Sequence, residues 1–174
     1  MNELEARGVE VSVVTNSLAS NDVPPVYAHY AKDRRALLEG GVDLYELKPD
    51  ANRERRRGVY WGQSQSGLHA KAFTIDDRYL FVGSFNWDPR SVNINTEMGI
   101  LIDSQEFTMN ASNALKQAVK AETFAVRLEE DDRLTWTEND AGGTRRIYYY
   151  EPTGSFWDHF MAGIYGILPI GSQL

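Results

Sequence analysis

The chain has 174 residues, which is enough for one folded domain with a hydrophobic core. Hydrophobic residues make up 42% of the chain and charged residues 25%, a balance typical of globular rather than disordered proteins. The sequence contains no cysteine, which excludes disulfide bonds, zinc sites built on thiolates and cysteine nucleophiles.

The charge of the chain argues against a nucleic-acid partner. The formal net charge is −7, whereas proteins that bind duplex nucleic acid usually present a basic surface. The basic run Arg53–Arg57 includes Glu54, and we interpret it as a solvated loop. No stretch of the sequence reaches the roughly 20 apolar residues of a membrane-spanning helix. We therefore expect any contact with a membrane to be peripheral.

The N-terminal part of the chain predicts a strand, a helix and a second strand. The apolar, β-branched run Val9–Thr15 predicts the first strand. A helix is predicted from a cap at Asp22 to the pair Gly40 and Gly41, and Val42–Leu47 predicts the second strand. This order is that of a βαβ unit, whose two strands pair in parallel.

The rest of the chain predicts further strands and two helices. Ser104 is a candidate cap for a helix from Gln105 to Thr123, and Asp76–Arg78 predicts a turn. Apolar residues at helical spacing predict a last helix at 155–168, which packs either on its own domain or on a membrane or partner surface. The further strands are predicted at Leu68–Ile75, Tyr79–Gly83, Glu97–Ile102, Ala125–Glu129, Leu134–Thr137 and Ile147–Tyr150.

A set of polar residues at fixed spacing indicates phosphodiester chemistry. Residues two apart on a strand share a face, so His69 and Lys71 are expected to point into one site. An imidazole supplies a nucleophile or a proton, and an ammonium supplies positive charge to phosphate oxygens. The members of the set are His69, Lys71, Asp76, Gly83, Ser84 and Asn86.

The neighbours of this pair are expected to complete the site. Ser84 and Asn86 carry hydrogen-bond donors for the same phosphate oxygens. A histidine that presents one particular nitrogen needs its other nitrogen held, and we assign Glu97 to that role. Asp103 is the alternative carboxylate, at the far end of the same predicted strand.

The spacing resembles that of the phospholipase D superfamily. Its motif, His-x-Lys, four residues, Asp, six residues and Gly-Ser-x-Asn, is matched here without departure. The segments Gly83–Ser91, Asn95–Gly99 and Thr15–Ala19 look like the cardiolipin synthase branch of the bacterial members. The resemblance implies an α/β fold, an α/β/α sandwich with a mixed, mainly parallel sheet. It also implies that 1–174 form a single catalytic domain.

The resemblance also implies a mechanism without cofactor or metal, through a phosphohistidine intermediate. His69, Lys71, Ser84 and Asn86 would face the phosphate, and Asp76 would be structural. The family brings two such motifs together at one site, whereas this sequence holds one, since neither His29 nor His159 has a lysine two residues on. A second half-domain is therefore expected, from an N-terminal half of the protein or from a second copy of the chain.

The predicted function is phosphatidyl transfer in phospholipid, specifically cardiolipin, synthesis at the periphery of a bacterial membrane. One alternative is a homodimeric phosphodiesterase or nuclease of the same superfamily, which the acidic charge balance disfavours. A third interpretation is a domain that binds phosphate or lipid without turnover, because a second motif is needed for catalysis.

Overall fold

The computed structural model describes residues 1–20, 24–49, 71–86, 89–139 and 143–152. The predicted cap at Asp22, the basic run Arg53–Arg57, His69 and the predicted helix at 155–168 lie outside the described residues. The described helices are α1 (Asn2–Glu5), α2 (Pro24–Glu39), α3 (Pro89–Asn93) and α4 (Gln105–Glu122), with a short 3₁₀ turn at Leu18–Ser20. The described strands are β1 (Ser12–Asn16), β2 (Asp43–Leu47), β3 (Lys71–Ile75), β4 (Tyr79–Gly83), β5 (Gly99–Asp103), β6 (Thr123–Leu128), β7 (Leu134–Asn139) and β8 (Arg145–Tyr148). Among these residues, no helix is long and apolar enough to cross a membrane.

The chain divides into two compact units, and the first contains a five-stranded sheet. The strand order is β1-β2-β6-β7-β8. Strands β1 and β2 are parallel, with Ser12 opposite Asp43 and Asn16 opposite Leu47, and the remaining neighbours are antiparallel. The predicted βαβ unit is confirmed, because α2 connects the two parallel strands and packs against the sheet at β2 and β6. Helix α2 ends where predicted, and Gly41 has the positive φ of +92° that favours glycine.

A buried carboxylate lies at the centre of this first unit. Glu46 is 0% exposed, and its Oε1 lies 2.9 Å from Nε of Arg34, itself almost fully buried. Tyr30 donates a hydrogen bond of 2.8 Å to Oε1 of Glu46, and the indole of Trp136 donates one of 2.9 Å to Oε2. Burying a charge is costly unless the charge is paired and hydrogen-bonded, and both oxygens of Glu46 meet this condition. The network joins α2, β2 and β7 beside the apolar core.

The second unit contains an antiparallel sheet of three strands in the order β3-β4-β5. A left-handed turn joins β3 to β4: Asp76 and Asp77 have φ of +51° and +50°, and the N–H of Arg78 donates to the carbonyl of Ile75 at 3.0 Å. Aspartate is one of the few residues that tolerate this conformation, which matches the twist of a hairpin. The predicted cap of α4 is confirmed by a hydrogen bond from the N–H of Phe107 to Oγ of Ser104, at 3.4 Å.

The predicted α/β class with a mixed sheet and helices is confirmed, but two details are wrong. The sheet is not mainly parallel: among the described pairs only β1 and β2 run parallel. Short connections produce this result, because neighbours such as β3 and β4 or β6 and β7 are joined by turns that leave room only for antiparallel pairing. The strand predicted from Glu97 begins two residues later, at Gly99. Assignment of 1–174 to a single catalytic domain stays a prediction.

Replacing Glu46 by alanine should destabilise the fold strongly. The substitution leaves the buried Arg34 guanidinium without its nearest carboxylate, and breaking a buried ion pair costs about 3–5 kcal/mol. Asp43→Ala on the same strand is the control, because its ion pair with Arg127 is about half exposed. That control should cost at most about 1 kcal/mol. Urea unfolding followed by circular dichroism measures both, and equal losses would contradict the role assigned to Glu46.

Candidate active site

Three residues of the motif, Lys71, Gly83 and Ser84, lie at one end of the three-stranded sheet. Lys71 is the first residue of β3 and half-buried, and it lies opposite Gly83, the last residue of β4. Gly83 in turn lies opposite Gly99, the first residue of β5. Ser84 follows β4 directly, so these residues form one row across the end of the sheet. His69 lies outside the described residues, and its predicted orientation beside Lys71 stays a prediction.

Two glycines allow the strands to pack closely at this row. A Cβ atom on Gly83 would lie 2.5 Å from the carbonyl oxygen of Met98 and 2.8 Å from Cα of Gly99, distances that real Cβ atoms do not show. A Cβ atom on Gly99 would lie 2.3 Å from the ring of Phe81. Gly83 therefore permits a close approach of the two backbones at this row. Its structural reason is the β4–β5 pairing.

The Ser84 hydroxyl connects the end of β4 to the residues that precede β5. Its Oγ donates to Oε2 of Glu97 at 2.5 Å and accepts the N–H of Met98 at 3.0 Å. The backbone N–H of Ser84 also donates to the carbonyl of Met98, at 2.8 Å. The sequence predicts Ser84 as a donor to the phosphate. In the structure its hydroxyl proton is directed to Glu97, so the serine and the carboxylate form a hydrogen-bonded pair.

Glu97 is held as an anion by donors from several segments. Hydrogen bonds from Ser84 and then Ser91 hold the pKa of its carboxyl below the usual value, and Asn95 and the positive charge of Lys71 act in the same direction. Partial desolvation opposes them. A carboxyl with a lowered pKa adds stability above its ordinary pKa and loses it as the pH falls through the lowered value. Glu97 is thus a charged, oriented carboxylate close to Lys71.

The alternative carboxylate, Asp103, belongs to the other end of the sheet. It lies opposite Tyr79, and its Oδ1 lies 2.8 Å from Nε of Arg78. Asp76 lies near that end too, in the turn, five residues and roughly 16 Å of extended strand from Lys71. The structure therefore brings Glu97 rather than Asp103 to the row of Lys71. It places Asp76 in a position that forms the hairpin.

The surroundings of the row are open and largely apolar. Asn86 is exposed, two residues beyond Ser84. A shallow pocket beside Glu97 is lined by Phe73, Phe81, Phe85, Glu97, Met98 and Gly99. The rings of Phe73 and Phe81 are stacked, with centroids 4.8 Å apart. In the part of the chain that the structure describes, no group of three or more His, Cys, Asp or Glu residues could hold a metal ion.

Sequence reasoning missed two of the residues that surround Glu97. Ser91 and Asn95 both hydrogen-bond to its carboxylate, yet neither was assigned a role in the site. Ser91 lies on α3, a one-turn helix that was not predicted and that begins at Pro89, a residue favoured in a first turn. That proline was the signal that could have indicated a helix. Nothing in the spacing alone indicates that the serine turns inward.

Comparison with known proteins gives consistent matches. Residues 1–119 match the protein family described as "Cardiolipin synthase, PLD-like domain". Cardiolipin synthase C of Escherichia coli K12 is 41% identical over 167 residues, which cover 94% of this chain and 35% of that protein. Cardiolipin synthase B of Salmonella typhi is 27% identical over 136 residues, covering 78% of this chain and 29% of its own length. The chain thus spans about a third of the length of these relatives.

A solved structure also aligns with the chain. It is a phosphatidylserine synthase of Haemophilus influenzae Rd KW20, which matches with a TM-score of 0.48 and 17% identity. The alignment covers 71% of this chain and 29% of that one.

Gly83→Ala should open the end of the sheet. The new Cβ meets backbone atoms of β5 and the residue before it, which cannot rotate away, and overpacking of this kind costs about 1–3 kcal/mol. We expect faster hydrogen exchange at the Ser84 amide, which loses its bond to Met98. Val82→Thr is the control, because Val82 is exposed on the opposite face of the same strand and should change stability by about 0.5 kcal/mol or less. Unchanged exchange in Gly83→Ala would show that the close approach is not required.

Proposed function

Because the chain belongs to the family of cardiolipin synthase, phospholipase D-like domains, we propose that it supplies one catalytic half of a phosphatidyltransferase acting on phospholipids. The observation that carries the proposal is the row formed by Lys71, Ser84 and Glu97 at one end of the sheet. Lys71 and Ser84 belong to the motif of His69, and Glu97 is the carboxylate that we assign to complete the site. There the positive charge of Lys71 acts on the oriented carboxylate of Glu97, and this pairing supports the proposal of a phosphohistidine mechanism.

In the proposed reaction, His69 acts as the nucleophile or as the general acid. In the first step an imidazole nitrogen forms a bond to phosphorus while the bond from phosphorus to the leaving alcohol oxygen breaks. The histidine of a second motif gives that oxygen a proton. In the second step the hydroxyl of an acceptor lipid attacks the phosphorus and gives its proton to the histidine that acted as the acid. The bond between phosphorus and the nucleophilic imidazole breaks.

The described residues support this chemistry in distinct ways. Lys71 supplies a fixed positive charge to the phosphate oxygens, which carry more negative charge in the transition state. Asn86, exposed next to the row, supplies amide donors for the same oxygens. Glu97 receives the second imidazole N–H of His69, which fixes the tautomer and stabilises the imidazolium. Ser84 reaches the phosphate only by releasing Glu97, so we assign it chiefly to holding that carboxylate.

The proposed substrates are phospholipids rather than nucleic acid. The relatives described above bear the name cardiolipin synthase, and cardiolipin is a phospholipid. A net charge of −7 and an apolar pocket beside Glu97 suit a lipid better than a polyanion. We place the protein at the surface of the bacterial membrane, where such substrates are found. The second motif is proposed to come from the part of the protein that corresponds to the remaining length of the relatives.

Lys71→Ala, made in the protein with both motifs, should lower phosphatidyl transfer by about 10²–10³-fold, and His69→Ala should abolish it. Lys116→Ala is the matched control, because this lysine is exposed on α4 and should leave the rate unchanged. The assay follows product formation from phosphatidylglycerol vesicles by mass spectrometry. EDTA should have no effect. Activity that EDTA removes and a divalent ion restores would contradict the proposed mechanism, as would a normal rate in Lys71→Ala.

The chain 1–174 alone should fold but show little or no transfer. One imidazole cannot serve as nucleophile and as acid on opposite sides of the same phosphorus atom in the first step. Light scattering and the vesicle assay on the same preparation test this expectation. A stable homodimer with a rate comparable to that of the two-motif protein would show instead that two copies of His69 meet across a two-fold axis.

A further inference from the structure

Ser91 carries a buried hydroxyl on the short helix α3. Its exposed fraction is 4%, whereas the next residue of α3, Val92, is 63% exposed and Asn93 is exposed as well. A buried hydroxyl costs free energy unless it is hydrogen-bonded, so an inward position on α3 would favour alanine if packing alone were required. The serine hydroxyl therefore needs a hydrogen-bond partner that offsets the cost of removing it from water.

That partner is the Glu97 carboxylate. Ser91 donates to it, as do Ser84 from the end of β4 and Asn95 from the segment between α3 and β5. The donors come from three separate segments, so the carboxylate is held from several directions. An ionised carboxylate has about four acceptor positions. Among the described residues, these three side-chain donors account for three of those positions.

We propose that Ser91 is a positioning residue: with Ser84 it fixes the orientation of Glu97, the carboxylate assigned to hold the catalytic imidazole. This inference rests on the proposed function for its catalytic consequence. Its structural part, the hold of Ser91 on Glu97, stands independently of any reaction. Ser91 does not touch substrate in this proposal, and it acts through Glu97 alone.

The structural part is tested by titration of Glu97 in the chain 1–174. Carboxyl ¹³C chemical shifts of glutamate are followed from neutral to acidic pH, and Glu97→Gln identifies the resonance. Hydrogen bonds to the ionised form lower a carboxyl pKa, so Ser91→Ala should raise the midpoint of Glu97 towards its ordinary value. Ser91→Cys, similar in size but a weak donor, should raise it as well.

Ser112→Ala is the matched control. Ser112 is 5% exposed in the same unit, and its hydroxyl has no hydrogen-bond partner among the described residues. This variant removes a buried hydroxyl without touching Glu97, so the Glu97 midpoint should not move. An unchanged midpoint in both Ser91→Ala and Ser91→Cys would overturn the proposal. A shift in Ser112→Ala of equal size would also overturn it, since any loosening of the unit would then produce the effect.

The catalytic part is tested in the protein with both motifs. Ser91→Ala should lower the turnover number about tenfold with little change in KM, the loss expected for one hydrogen bond to a charged group. The acidic limb of the pH–rate profile should move to higher pH, which a merely structural role would not produce. If the Glu97 midpoint shifts but the wild-type protein shows no transfer, the proposed function fails and the hold on Glu97 stands. If transfer is robust and the profile stays in place, the positioning role fails and the proposed function stands.

Discussion

The first unit depends on the compensation of one buried charge. Glu46 lies on β2, the strand that pairs with β1 on one side and β6 on the other, and it has no access to water. Each of its oxygens is therefore satisfied by protein groups: Arg34 and Tyr30 from α2, and Trp136 from β7. The same Arg34 lies 3.6 Å from Glu151, near the end of the described chain. The helix, the sheet and this later segment are consequently positioned by one carboxylate.

In the second unit, too, a carboxylate is held by donors from several segments: Glu97, which lies just before β5. Glu97 receives hydrogen bonds from side chains of three segments, but it stays close enough to Lys71 for the lysine to influence its pKa. Glu46 is fully buried and serves the fold, whereas Glu97 is only partly buried and serves the proposed chemistry. Both carboxylates are held by protein groups, so the difference between them lies in exposure: Glu46 has no contact with solvent, and Glu97 lines an open pocket.

Much of this arrangement could be predicted from sequence because it depends on local patterns. The βαβ unit follows from two apolar runs around a helix that ends at Gly40 and Gly41, and the cap of α4 follows from Ser104. The antiparallel majority of the sheet was missed because pairing partners of β6 are chosen by tertiary packing. Burial of Glu46 and the contact between Ser91 and Glu97 could not be predicted, because a polar side chain does not show in sequence whether it will turn inward.

The left-handed turn at Asp76 and Asp77 gives the spacing of the motif a geometrical meaning. From Lys71 the chain runs five residues to the turn, and from Tyr79 five residues back to Gly83. The four residues between Lys71 and Asp76 and the six between Asp76 and Gly83 thus form the two arms of a hairpin. With arms of these lengths, Gly83 lies opposite Lys71 and Ser84 follows directly. Insertion of one residue in either arm would displace one side of the row by about 3.3 Å and turn its side chains to the other face. The spacing of the motif therefore sets the register of the hairpin, and its aspartate lies at the turn where the chain reverses direction.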